Sequence, residues 1–207
     1  MAFTMAFTKK AERTKGRLLN AAKELISERG FEKVSVEDIT RKAGVAKGTF
    51  YHYFEAKENV VQELTFSKLL ELFTATMEME GSPEKKLSHY FMELLHEAEW
   101  MGVNLLRQWL RSVSDPKMIE NSTARFEDGY RRIYAILQQG IDEGYLIKDT
   151  PVDLLTKLFL SHFTGALATW CILDAKFSLS KEAGPLVKED IESVLKKYAA
   201  SSVSPKS

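Results

Sequence analysis

The stretch GFEKVSVEDITRKAGVAKGTFYHYFEAKENV, residues 30–60, decides the fold. Ser35 stands where a helix needs an N-cap, Asp38 three residues on takes the capping-box position, and Ile39 and Ala43 mark an inward side before Gly44 stops the helix. After Val45 and Ala46 a further helix starts near Lys47. Two short helices joined by a turn of about three residues that contains glycine make a helix-turn-helix.

The run Phe50 to Phe54 packs four aromatic rings and a histidine into consecutive positions. At about 100° per residue, Phe50, Tyr53 and Phe54 share one side of a helix, Gly48 and His52 point away from it, and Thr49 and Tyr51 lie on the flanks. Phe50 and Phe54 are therefore expected to pack on the preceding helices. A short helix entering a major groove needs a small residue for close approach, donors on its open side and flanking groups for phosphate. Gly48 supplies the first. Lys47 can reach guanine acceptors or phosphate, Thr49 can contact a base or a thymine methyl, and the Tyr51 hydroxyl can donate to phosphate.

Working outward, Leu18, Ala21, Ala22, Leu25 and Ile26 follow a helical period that Gly30 ends. Downstream every segment has helical rather than alternating period, so the chain reads as all-α. A long helix runs from Lys57 to Glu80. Ser82-Pro83-Glu84 opens another, Asp115-Pro116 breaks the chain, and Thr150-Pro151-Val152-Asp153 repeats the cap, proline and acid signal. The helix after Pro151 is apolar on nearly all sides through Leu173 and must be covered.

At 207 residues the chain can bury one substantial core, or a small domain and a medium one. Net charge is zero, but residues 1–57 hold 12 Lys/Arg against 7 Asp/Glu, and residues 58–207 hold 17 against 22. A +5 head on a −5 body suits a head that meets a polyanion, and it argues against a wholly basic DNA-bending protein. One cysteine, Cys171, excludes a disulfide framework and reads as a small core residue. With no secretion signal, a cytoplasmic location is expected. The longest uncharged run, Leu158 to Leu173, has 16 residues against the roughly 20 that a membrane span needs. The opening MAFTMAFT is a tandem duplication and is set aside.

Residues 30–60 resemble the DNA-binding head of the TetR family of bacterial one-component transcriptional regulators, and the likeness extends back to Leu18. The resemblance implies a three-helix head followed by an all-helical body that binds a small molecule and dimerises. It implies a homodimeric, non-enzymatic repressor of a palindromic double-stranded operator, released by an effector. It places Ser35, Tyr51 and Lys57 at phosphate, Lys47, Gly48 and Thr49 at base edges, and His52 at either. The organisation expected is a helix-turn-helix domain over residues 9–56, an effector-binding and dimerisation body over 57–200, and a disordered tail at 201–207. No cofactor is called for. The last two helices resemble the family's dimer interface, with Leu155, Phe159, Phe163 and Ala166 on one and Ile191, Val194, Leu195 and Tyr198 on the other.

The body carries no specific motif. On the helix from Pro83, His89, Glu93, His96 and Trp100 form a stripe that is either a solvated face or one wall of a pocket. Glu93-Leu94-Leu95-His96 is also the Glu-x-x-His unit of di-metal bundles, but no second unit exists in the chain, so no metal is expected. Further candidates to line an effector site are Trp109, Phe126, Tyr130, Phe163 and Trp170, each of a type more often found in a core. Arg107 and Arg111 would suit an anionic ligand, Glu93 and Glu97 a cationic one. No nucleophile with its base and no phosphate loop supports an enzyme.

Overall fold

The computed structural model describes the backbone of residues 2–114 and 119–200, with the side chains of 11–61, 63–64, 68–107, 109–110 and 127–200. The expected break at Asp115-Pro116, the side chains of Arg111 and Phe126, and the tail at 201–207 lie outside these. Among the described residues every regular element is helical, as the sequence pattern requires. The helices are α1 (Ala2–Arg29), α2 (Val36–Ala43), α3 (Lys47–Tyr53), α4 (Lys57–Glu78), α5 (Pro83–Met101), α6 (Val103–Ser114), α7 (Ile119–Asp142), α8 (Val152–Ile172) and α9 (Gly184–Leu195). The chain forms two compact units, Met1–Leu69 with Trp100–Gly102, and Leu70–Glu99 with Val103–Ser207; the division falls inside α4.

In the first unit, α1 buries Leu18, Ala22, Leu25 and Ile26, and α2 and α3 close over them with Ile39 and Phe50. Helix boundaries follow the local chemistry. Gly30 (φ 79°) and Gly44 (φ 63°) take left-handed backbone that a side chain would strain. Ser35 Oγ accepts the Asp38 N–H at 3.1 Å, while the Asp38 carboxylate accepts the Ser35 N–H at 3.1 Å. The Arg17 guanidinium donates to the carbonyls of Ala43 and Gly44, which have no partner within α2 itself.

The second unit is built around Leu87, Tyr90 and Phe91 of α5, Ile133, Ile136 and Leu137 of α7, Leu155 and Phe159 of α8, and Ile191 and Leu195 of α9. Cys171 is buried, as a small core residue should be. At the start of α8 the helix begins one residue later than the Thr150-Pro151 signal suggests: Pro151 precedes it without a side-chain cap. The Thr150 hydroxyl instead donates to the Ile147 carbonyl at 2.5 Å.

Candidate nucleic-acid interface

The aromatic run of α3 divides by helical angle. Phe50 is fully buried and Phe54 is 4% exposed, with their ring centroids 5.5 Å apart, while Tyr51 is 51% exposed. His52 is exposed beside Tyr53, edge to face at 5.0 Å. The buried pair fixes the helix to α1 and α2, and what remains outward is a hydroxyl, an imidazole and the first turn.

In that first turn, Gly48 is the informative residue. A Cβ added there would meet no atom within 4 Å, and its backbone is helical. Neither packing nor a left-handed φ requires glycine, although glycine weakens a helix by up to about 1 kcal/mol relative to alanine. The space beside Gly48 is open to solvent. Thr49 is half-buried, with its N–H donating to the Ala46 carbonyl at 2.9 Å.

The lysines behave differently from one another. Lys47 is exposed at the start of α3, and its ammonium pairs with Glu37 of α2. That contact holds the Glu37 carboxyl below its ordinary range and raises the lysine above its own. Lys57, expected at phosphate, is used inside the fold. Its ammonium donates to the carbonyls of Phe31 and Val34 at 2.8 Å each and lies 4.0 Å from the centre of the Phe31 ring. Ser35 is exposed, but its hydroxyl already serves the cap, donating to the Asp38 carboxylate at 2.6 Å.

Candidates in the rest of the chain are dispersed. His96 is exposed, 3.6 Å from Glu93, so that part of the stripe is solvated. The Trp100 indole donates to Ser27 Oγ at 3.0 Å and belongs to the first unit, not to a wall of the second. Trp170 is 5% exposed, with its indole N–H satisfied by the Phe177 carbonyl at 2.8 Å, a structural bond. The Tyr130 hydroxyl donates to Asp153, a contact that pushes its pKa up to about 12, and its ring stacks on Tyr134. Phe163 is half-buried 5.5 Å from the Phe91 ring, and Trp109 is half-buried. Arg107 donates to the Cys171 carbonyl at 2.5 Å and pairs with Asp174 at 2.9 Å, so it caps α8 and is not poised for an anion.

Sequence reading missed the charges buried in this unit. Arg132 is 4% exposed, pairs with Asp128 one turn earlier at 2.5 Å and lies 5.8 Å from the Phe73 ring centre. Tyr90 beside it has its phenol pushed up by burial. Lys86 and Glu97 are also buried. The signal for Arg132 was present: it lies one turn from Ile136, on the stripe that α7 turns inward.

The expected dimer residues need a correction. Leu155, Phe159, Ile191 and Leu195 are at most 3% exposed within a single chain, packed in its own core, and have no surface to give a partner. Phe163, Ala166, Val194 and Tyr198 are only partly covered. The open apolar side chains are instead Leu154 (63%) and Ile172 (80%) on α8 and Leu186 on α9. At about 100° per residue, positions 154 and 172 fall on the same line of the helix, with Leu158, Ser161, Gly165 and Thr169 between them.

A short helix with a polar, basic-tipped outer side, locked by two phenylalanines onto two supporting helices, is a helix-turn-helix DNA-binding head. Residues 18–64 match the profile of the bacterial regulatory proteins, tetR family. The chain is 40% identical to the HTH-type transcriptional regulator UidR of Escherichia coli K12 over 164 residues, covering 76% of this chain and 82% of the relative. It is 30% identical to the HTH-type transcriptional repressor KstR2 of Mycobacterium tuberculosis over 165 residues, 75% of this chain and 80% of the relative. Among solved structures it is similar to FadR from Bacillus subtilis in complex with stearoyl-CoA, with a TM-score of 0.57, 25% identity, and coverage of 84% of this chain and 96% of the other. The chain belongs to the tetR family of DNA-binding transcriptional regulators. No helix among the described residues is long and apolar enough to cross a membrane.

Proposed function

We propose that the chain is a cytoplasmic, non-enzymatic repressor that reads its operator with the outer side of α3. Lys47, Gly48 and Thr49 would meet base edges, with Tyr51 at phosphate, His52 at phosphate or base, and Ser35 at phosphate once its hydroxyl turns from Asp38. The observation that carries this reading is the division of one aromatic run, Phe50 fully buried and Tyr51 half in solvent. Lys57 is left out of the contact set, since its ammonium is already engaged. Footprinting on a selected operator tests the assignment. Tyr51→Phe should weaken binding by about 1 kcal/mol whatever the sequence, because phosphate contacts position without specifying; unchanged binding refutes its role.

The same reading gives the second unit the tasks of pairing and sensing, with the head extending from near residue 9 and the effector-binding, dimerising body running to about residue 200. A stripe with leucine and isoleucine at its ends and serine and glycine at its centre favours close approach of a second copy's α8 around a two-fold axis. Two-fold symmetry is what a palindromic operator requires. Ile172→Glu should dissociate the dimer in sedimentation; an unaltered dimer would place the pairing face elsewhere. The effector is a small molecule held in the second unit; the Bacillus subtilis FadR, in complex with stearoyl-CoA, is one precedent of a ligand. By linkage, a coupling of about 1 to 3 kcal/mol lowers operator affinity roughly 5-fold to 150-fold.

A further inference from the structure

The acid at the tip of the reading surface needs an explanation. Glu37 projects from α2 into solvent, more than half exposed, and pairs with Lys47 at the first turn of α3. Exposed pairs between long side chains stabilise proteins little. On a surface that approaches phosphates, an ionised carboxylate is repelled unless it accepts a hydrogen bond there. Glu37 stays ionised, since the lysine holds its carboxyl low, and an ionised carboxylate can only accept.

Base edges in the major groove offer such a donor selectively. Cytosine presents its N4 amino group alone, guanine and thymine present acceptors, and adenine presents an N6 donor beside an N7 acceptor that repels a carboxylate. The paired lysine has the complementary preference, for guanine O6 and N7. We propose that Glu37 and Lys47 form one reading unit, in which the carboxylate accepts from cytosine N4 and the ammonium donates to guanine O6 or N7 of the same or a neighbouring base pair. This rests on α3 being the reading helix, and it makes Glu37 a specificity determinant that the aromatic and glycine signals of the sequence do not reveal.

In-vitro selection from random duplex DNA with the wild-type dimer, Glu37→Ala, Lys47→Ala and the double variant tests the proposal. Each fold is checked by its thermal midpoint, which a solvent-exposed pair should hardly move. Wild type should enrich a C·G pair at one position of each half-site. Glu37→Ala should lose that preference by about 5-fold to 150-fold while leaving the other positions unchanged. The double variant should discriminate there no worse than Lys47→Ala alone, as expected for residues acting together. Uniformly tighter binding of all sequences by Glu37→Ala would mean that the acid only repels phosphate, and it would overturn the proposal; so would unchanged preferences, or losses that simply add. A wild-type protein selecting no sequence at all would instead remove the reading of α3 itself.

Discussion

The two units of this chain differ in how deeply they bury charge. In the first, the large buried side chains are apolar, Lys47 and Glu37 stand outside as an exposed pair, and Arg41 reaches from solvent to the partly buried Asp38. In the second, Lys86, Glu97 and Arg132 are buried. An exposed pair contributes about 0 to 1 kcal/mol and can exchange its partner for a base or phosphate at little cost, whereas a buried charge is committed to the partner it has. The difference teaches that the first unit is a stiff scaffold presenting exchangeable charges. The second keeps its charges in fixed arrangements whose rearrangement is energetically consequential, the property needed where a ligand must shift an equilibrium.

Four substitutions press on that contrast. The largest effect should come from Phe50→Ala, which removes a fully buried ring from the scaffold and should cost about 3 to 5 kcal/mol in chemical unfolding; a loss below about 1 kcal/mol would mean the scaffold is not stiff. Next, Asp128→Ala leaves Arg132 buried without its carboxylate and should cost about 2 kcal/mol, moderated because Asp128 is itself partly exposed. Arg132→Met, which removes the charge and keeps the bulk, should cost clearly less. Equal losses in thermal unfolding would show that packing, not charge, sets the energetics there. The smallest effect is the most discriminating: Gly48→Ala should stabilise the first unit by about 0.5 kcal/mol while weakening operator binding. Gains in both, measured by unfolding and by band shift, would remove Gly48 from the reading surface.

How much could be read from sequence follows from how local each signal is. The Ser35–Asp38 capping box, the left-handed Gly30 and Gly44, and the Phe50–Phe54 spacing all act within a turn or two, and each fixes its element almost unaided. On α8 the sequence is silent in a specific way. A helix apolar on all sides does not say which side faces its own core, so Leu155 and Phe159 read as an interface when the open line runs through Leu154 and Ile172. The bonds of Lys57 and Trp100 are not legible for another reason: their partners, the carbonyls of Phe31 and Val34 and the hydroxyl of Ser27, are far away in sequence and have no pattern of their own. Arg132 had a pattern, an inward stripe on α7, which the usual expectation that arginine faces water obscured.

The ammonium of Lys57 joins the first turn of α4 to the turn between α1 and α2 through two carbonyls and a ring. The turn before the helix-turn-helix and the root of the long helix are thereby parts of one solid piece. Such a piece works like one jaw of a caliper: it does not bend to suit a misplaced contact, and the first turn of the long helix moves with it. In the dimer proposed above, an operator with half-sites one base pair too close or too far should therefore bind more weakly, since no adjustment can come from within this piece.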